Sequence, residues 1–65
     1  MFEYITANKK KVVINPKYII AITEDNCNNG QCYIITLNGS WFVNEPYEKV
    51  CEHYSNWLFR GLANG

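Results

Sequence analysis

The sequence predicts an α+β fold: five short antiparallel strands, as a meander or small open barrel, followed by one C-terminal amphipathic helix packed on the sheet. Three observations predict it. Two Asn-Gly pairs, Asn29-Gly30 and Asn38-Gly39, each lie between apolar runs. Asn-Gly is a strong hairpin signal, because a type I′ turn needs positive φ at both central residues. The flanking runs are rich in β-branched and aromatic residues, which favour strands. After Asn44 the apolar spacing changes to the i, i+3, i+4, i+7 pattern of an amphipathic helix.

Phe2–Thr6 ("FEYIT") and Lys11–Ile14 ("KVVI") read as the first two strands, with the polar "ANKK" as their turn. Asn15-Pro16 follows. Asn suits a helix N-cap and Pro the first helical position, so "NPKY" reads as one helical or 3₁₀ turn feeding the third strand, Tyr18–Glu24. Cys32–Leu37 and Ser40–Asn44 complete the meander across the two Asn-Gly turns. Pro46 marks the helix start, with Glu45 and Glu48 where the helix dipole favours acids. Tyr47, Val50, Cys51, Tyr54, Trp57 and Leu58 share one helix face, and Phe59 falls outside it. Gly61 and the "LANG" tail are expected to end the helix. The order β-β-β-β-β-α fills residues 1–65 as one small domain.

A chain of 65 residues buries only about 60% of the surface its unfolded form exposes. Its core is marginal, and association is a common supplement at this size. The 15% aromatic content argues against disorder. Formal net charge is zero, so no field of one sign steers the protein to nucleic acid or repels it. No segment approaches the ~18 apolar residues of a membrane span, and the N-terminus lacks a signal-peptide pattern. The expected location is cytoplasmic, without membrane insertion.

The stretch "DNCNNGQC" places Cys27 and Cys32 around Asn29-Gly30. If Asn29-Gly30 is a two-residue turn, the cysteines face each other with Cα atoms about 4.5 Å apart. That is near the short end of the disulfide range, so a Cys27–Cys32 bond is feasible in an oxidising setting. In a reducing cytosol the pair reads as a hairpin with incidental thiols. The metal signal is weak, since structural zinc takes four ligands and Cys51 and His53 point to different sides of the helix. Cys51 reads as a small core residue. The single histidine, His53, is expected on the solvent face, and no nucleophile, oriented base or paired carboxylate stands out. The sequence predicts a non-enzymatic protein with no catalytic residue, no metal and no cofactor.

The strands are apolar on both faces. With Asn38-Gly39 as the turn, Ile34 pairs with Val43 and Thr36 with Trp41. One face then carries Tyr33, Ile35, Leu37 and Phe42, and the other Ile34, Trp41 and Val43 with Cys32 and Thr36. A sheet with one wet face alternates more cleanly, and one helix covers one face only. This leads to a partner-binding surface at Ile34, Trp41 and Val43, joined by Phe59, in a homodimer or with another protein. The alternative is a small nucleic-acid-binding or phage or mobile-element regulatory protein. There Lys9, Lys10 and Lys11, with Lys17 nearby, grip phosphate beside exposed aromatic residues.

From Val12 to Val50 the chain has Asn15-Pro16, a hydrophobic run through Ile19 and Ile22, then a strand through Ile35 ending in Leu37-Asn38-Gly39. An apolar strand then closes on Val43-Asn44-Glu45, and a helix carries Val50. This pattern resembles the small FlbD-like flagellar proteins. It departs from them where Asn8 is followed by Lys9 instead of Gly and in the cysteine hairpin. The resemblance implies a non-enzymatic accessory protein tied to a flagellar motor.

Overall fold

The structure, a computed structural model, describes residues 1–25 and 30–64, and for 62–64 the backbone alone. Strands β1 (Phe2–Ile5), β2 (Lys11–Ile14), β3 (Ile19–Glu24), β4 (Cys32–Thr36) and β5 (Gly39–Val43) precede a single helix, α1 (Tyr47–Asn64). All pairings are antiparallel: β1 with β2 in one sheet, and β3–β4–β5 as a meander in the other. The end of β1 crosses onto β5. Thr6 bridges to Val43, the Ala7 N–H donates to the Phe42 carbonyl at 2.8 Å, and the Asn44 N–H donates to the Ile5 carbonyl at 2.8 Å. The five strands thus follow one another in space as β2-β1-β5-β4-β3.

The first turn is built by Thr6. Its hydroxyl accepts from the Lys10 N–H at 3.1 Å and donates to Asn8 Oδ1. Its N–H donates to the Lys10 carbonyl at 2.8 Å, and its carbonyl accepts from the Lys9 N–H at 2.9 Å. Lys9 closes this loop at φ +66°, the left-handed region that a side chain enters at a cost. Between β2 and β3, Pro16–Tyr18 form the expected 3₁₀ turn, with the Asn15 side chain accepting from the Lys17 N–H at 3.0 Å. Pro16 is buried.

One side of each sheet faces a common core. Tyr4, Ile14, Ile19, Cys32, Ile34, Val43 and Val50 form it, with Phe2, Val12, Ile22, Tyr47 and Tyr54 packed around. The helix covers this inner side through its first half, since Val50 is fully buried and Leu58 and Phe59 are exposed.

Three expectations are corrected. In the second hairpin Ile34 pairs with Trp41 and Thr36 with Gly39, so the turn is Leu37-Asn38. The Thr36 hydroxyl closes it, donating to the Gly39 carbonyl at 2.8 Å and accepting from the Asn38 N–H at 3.3 Å. Gly39 takes φ +143° inside β5 while Asn38 keeps a negative φ. Each β5 partner moves by two positions, which preserves the faces. In the β3–β4 hairpin, Cys32 pairs with Glu24, the last residue of β3, in place of the expected partner Cys27. Cys27 itself lies outside the described residues. Finally, α1 runs through Gly61 to Asn64. Among the described glycines only Gly30 and Gly39 have positive φ, so Gly61 does not form a left-handed cap. A lone Gly weakens a helix by about 1 kcal/mol without ending it.

Candidate interaction surfaces

The strand registers place each residue that the sequence singled out. Ile34 and Val43 are each 0% exposed. They belong with Val50 to the core on the inner side of the sheet and form no outward surface. The expectation that they contact a partner is corrected for that reason: the helix covers the side of the sheet that carries them. Trp41 shares their parity but is 43% exposed. Phe59 is 76% exposed. Nine residues from Val50, it projects from the opposite side of α1.

The apolar excess appears instead on the other side of β3–β4–β5. Ala21 pairs with Ile35 and Thr23 with Tyr33, while Tyr33 pairs with Phe42 and Ile35 with Ser40. These six side chains alternate with the core-facing ones and carry no charge. Tyr33 and Phe42 stack with ring centroids 4.5 Å apart and planes inclined by 27°. Ile20, at the bulge in β3, and Leu37, in the turn, add exposed apolar groups at one end of this face.

The lysines divide. Lys10 and Lys11 line a cleft of about 530 Å³ between the first turn and β5, and Trp41 and Phe42 form its other wall. Lys9 is exposed on the same turn. Lys17 belongs to the 3₁₀ turn at the far end of β2 and does not line this cleft.

A contact that the sequence did not reveal joins β1 to α1. The Tyr4 hydroxyl lies 2.8 Å from His53 Nδ1, and the two rings stack at 6.0 Å. His53 is exposed as expected, yet it is held by Tyr4. Burial, with smaller contributions from Glu45 and Cys32, pushes the Tyr4 phenol up to about 12, so it keeps its proton and can donate to an unprotonated Nδ1. The inward parity of Tyr4 along β1 was the one available signal. The pair lines a shallow cleft of about 430 Å³ with Trp57 and Arg60.

Cys32 has little thiol reactivity in this setting. Cys32 is unbridged and fully buried. Burial foremost, then the nearby Cys51, Glu45 and Glu48, pushes its thiol up to about 11, away from the thiolate needed for nucleophilic attack or metal binding. Cys51 is half-buried, and a hydrogen bond to it, ahead of other causes, raises the Tyr47 phenol. Among the described residues no group of three or more metal-ligating side chains converges. No helix among them is long and apolar enough to cross a membrane. In comparisons with protein-family models, with curated proteins and with solved structures, nothing matches this chain.

Proposed function

We infer that this protein is a small non-enzymatic interaction module that associates with a second copy of itself through the outward face of β3–β4–β5. One observation carries this reading. The outward set, Ala21, Thr23, Tyr33, Ile35, Ser40 and Phe42, is uncharged and includes the apolar Ala21, Ile35 and Phe42, whereas a solvated sheet face is ordinarily polar throughout. The centres of interfaces are depleted in charge and enriched in aromatic residues. A second copy is a compatible occupant because uncharged faces do not repel, and the zero net charge removes the long-range barrier between identical chains.

The size of the face sets the strength. Three strands ~4.8 Å apart and about five residues long at ~3.3 Å each outline roughly 240 Å². A stable pair buries about 800 Å² per partner. The association is therefore weak, with a dissociation constant on the order of 10⁻⁵–10⁻³ M. The FlbD-like resemblance is consistent with such an accessory role. Several of its matched positions, Asn15, Pro16, Leu37, Asn38 and Gly39, build turns here, which makes it a resemblance of scaffold.

Sedimentation equilibrium from about 10 μM to 1 mM tests the proposal. The average mass is expected to rise toward twice the chain mass. Ile35→Asp is expected to hold it at the monomer with an unchanged circular dichroism spectrum, and Phe59→Asp, on the opposite side, to leave it unaffected. A monomer throughout the range, or a dimer indifferent to Ile35→Asp, overturns it.

A further inference from the structure

We propose that the cleft between the first turn and β5 binds single-stranded nucleic acid, with Trp41 stacking on a base and Lys10 and Lys11 holding the adjacent phosphates. The cleft borders the self-association face, sharing Ser40 and Phe42 with it, but its binding groups Lys10, Lys11 and Trp41 lie outside that face. The cleft exists because β1 overruns its own sheet. The Thr6↔Val43 bridge and the 2.8 Å bond from the Ala7 N–H to the Phe42 carbonyl pin the lysine turn against β5. Residues some thirty positions apart in the chain thereby become opposite walls of one cleft of about 530 Å³. That size lies within the range of ligand pockets, about 300–1,000 Å³. The indole is 43% exposed and both lysines are exposed.

The combination selects the ligand class. Cations alone suit any polyanion. An exposed indole beside them adds a platform for bases, all of which present a π face. Duplex DNA hides those faces in its stack and is bound chiefly through phosphates. With two lysines in the cleft and zero net charge, phosphate contacts alone are too few for tight binding. Stacking must contribute, and stacking requires an unpaired base. Glu3 and Glu45 flank Lys11 on its other side, around a smaller cleft, and temper its field. The expected affinity is accordingly modest, with a dissociation constant on the order of 10⁻⁴–10⁻⁶ M.

The test is fluorescence anisotropy of an end-labelled oligothymidine of about eight nucleotides, a typical site length, titrated with the full chain. Two phosphate contacts on a single strand give a salt slope of about −1.4. Binding is then expected to weaken about sevenfold between 50 and 200 mM salt. Trp41→Ala is expected to weaken it about tenfold or more, and Trp41→Phe to restore most of it, since the phenyl ring still stacks. Lys10→Gln and Lys11→Gln are each expected to reduce the slope by about 0.7. Ile35→Asp, which removes the self-association face, is expected to leave binding unchanged. Circular dichroism of each variant separates loss of binding from loss of fold. The proposal is overturned by any of three results: no binding at low salt, equal binding of a duplex of the same sequence, or equal binding by a folded Trp41→Ala or, should that variant unfold, by a folded Trp41→Ser.

Discussion

Ile34 and Ile35 are adjacent and chemically identical, and the register of β4 sends them to opposite sides of the sheet. Ile34 is 0% exposed, between Ile22 on β3 and Trp41 on β5. Ile35 is half-buried on the outward face. Truncating each to alanine removes the same three carbons from different surroundings. At Ile34 the transfer contribution is ~2.4 kcal/mol, from ~0.8 per carbon. The cavity left in the core raises the total to ~3–4 kcal/mol. At Ile35 roughly half the transfer contribution is lost and no closed cavity forms, giving ~1 kcal/mol. A domain of this length has a total stability of only ~3–10 kcal/mol, at ~0.05–0.15 per residue. Urea denaturation followed by circular dichroism, at a protein concentration below that of self-association, reads the difference. With a slope near ~1 kcal/mol per molar urea, the midpoint falls by about 3 M for Ile34→Ala and about 1 M for Ile35→Ala. Equal shifts, or a larger one at Ile35, would refute the assignment of faces. At high protein concentration the Ile35→Ala deficit is expected to grow, because association adds stability by mass action.

Three further outcomes are expected. Lys9→Gly relieves the φ of +66° and raises stability by up to about 1 kcal/mol after the added freedom of the unfolded chain is subtracted; thermal melting should move up by several degrees. Gly39→Ala meets no atom within 4 Å, yet costs about 1–3 kcal/mol because φ +143° is nearly closed to a residue with a Cβ; chemical denaturation measures it, and a neutral result would mean that the turn rearranges. Alkaline titration tests Tyr4 and Cys32. Their folded pKa values, about 12 and about 11, exceed the ordinary 10.0 and 9.0. The folded state thus binds more protons from pH 9 upward, and stability is complete below that and lost progressively as pH rises to about 12. Tyr4→Phe should remove the tyrosine share of that loss and cost about 1 kcal/mol at neutral pH for the bond to His53.

Local chemistry carries much of the fold, and its failures have identifiable causes. Asn15-Pro16 makes a 3₁₀ turn because both preferences act within three residues. Asn38-Gly39 misleads by one position because Thr36, a hydroxyl residue next to the turn, supplies competing hydrogen bonds. The Cys27–Cys32 register misleads because Cys32 pairs with Glu24, and nothing between residues 25 and 31 states how long the connection must be. For the surfaces, the alternation makes it legible that both sheet faces are apolar, but not which one the helix covers.

By itself, the sequence determined the order of strands and helix, the alternation of faces and the two-sided apolar character of the sheet. These rest on local periodicity and propensity, which need no knowledge of the rest of the chain. The tertiary structure alone decided that α1 seals Ile34 and Val43, leaving the Tyr33–Phe42 side open, that Tyr4 meets His53, and that the lysine turn lies against Trp41. Each of these is a contact between residues far apart in sequence, fixed by where β1 crosses onto β5 and by which side the helix docks. The physical reason is that hydrophobic burial has no direction: either apolar face satisfies a helix equally in pattern, and only the packed geometry of the whole chain selects one.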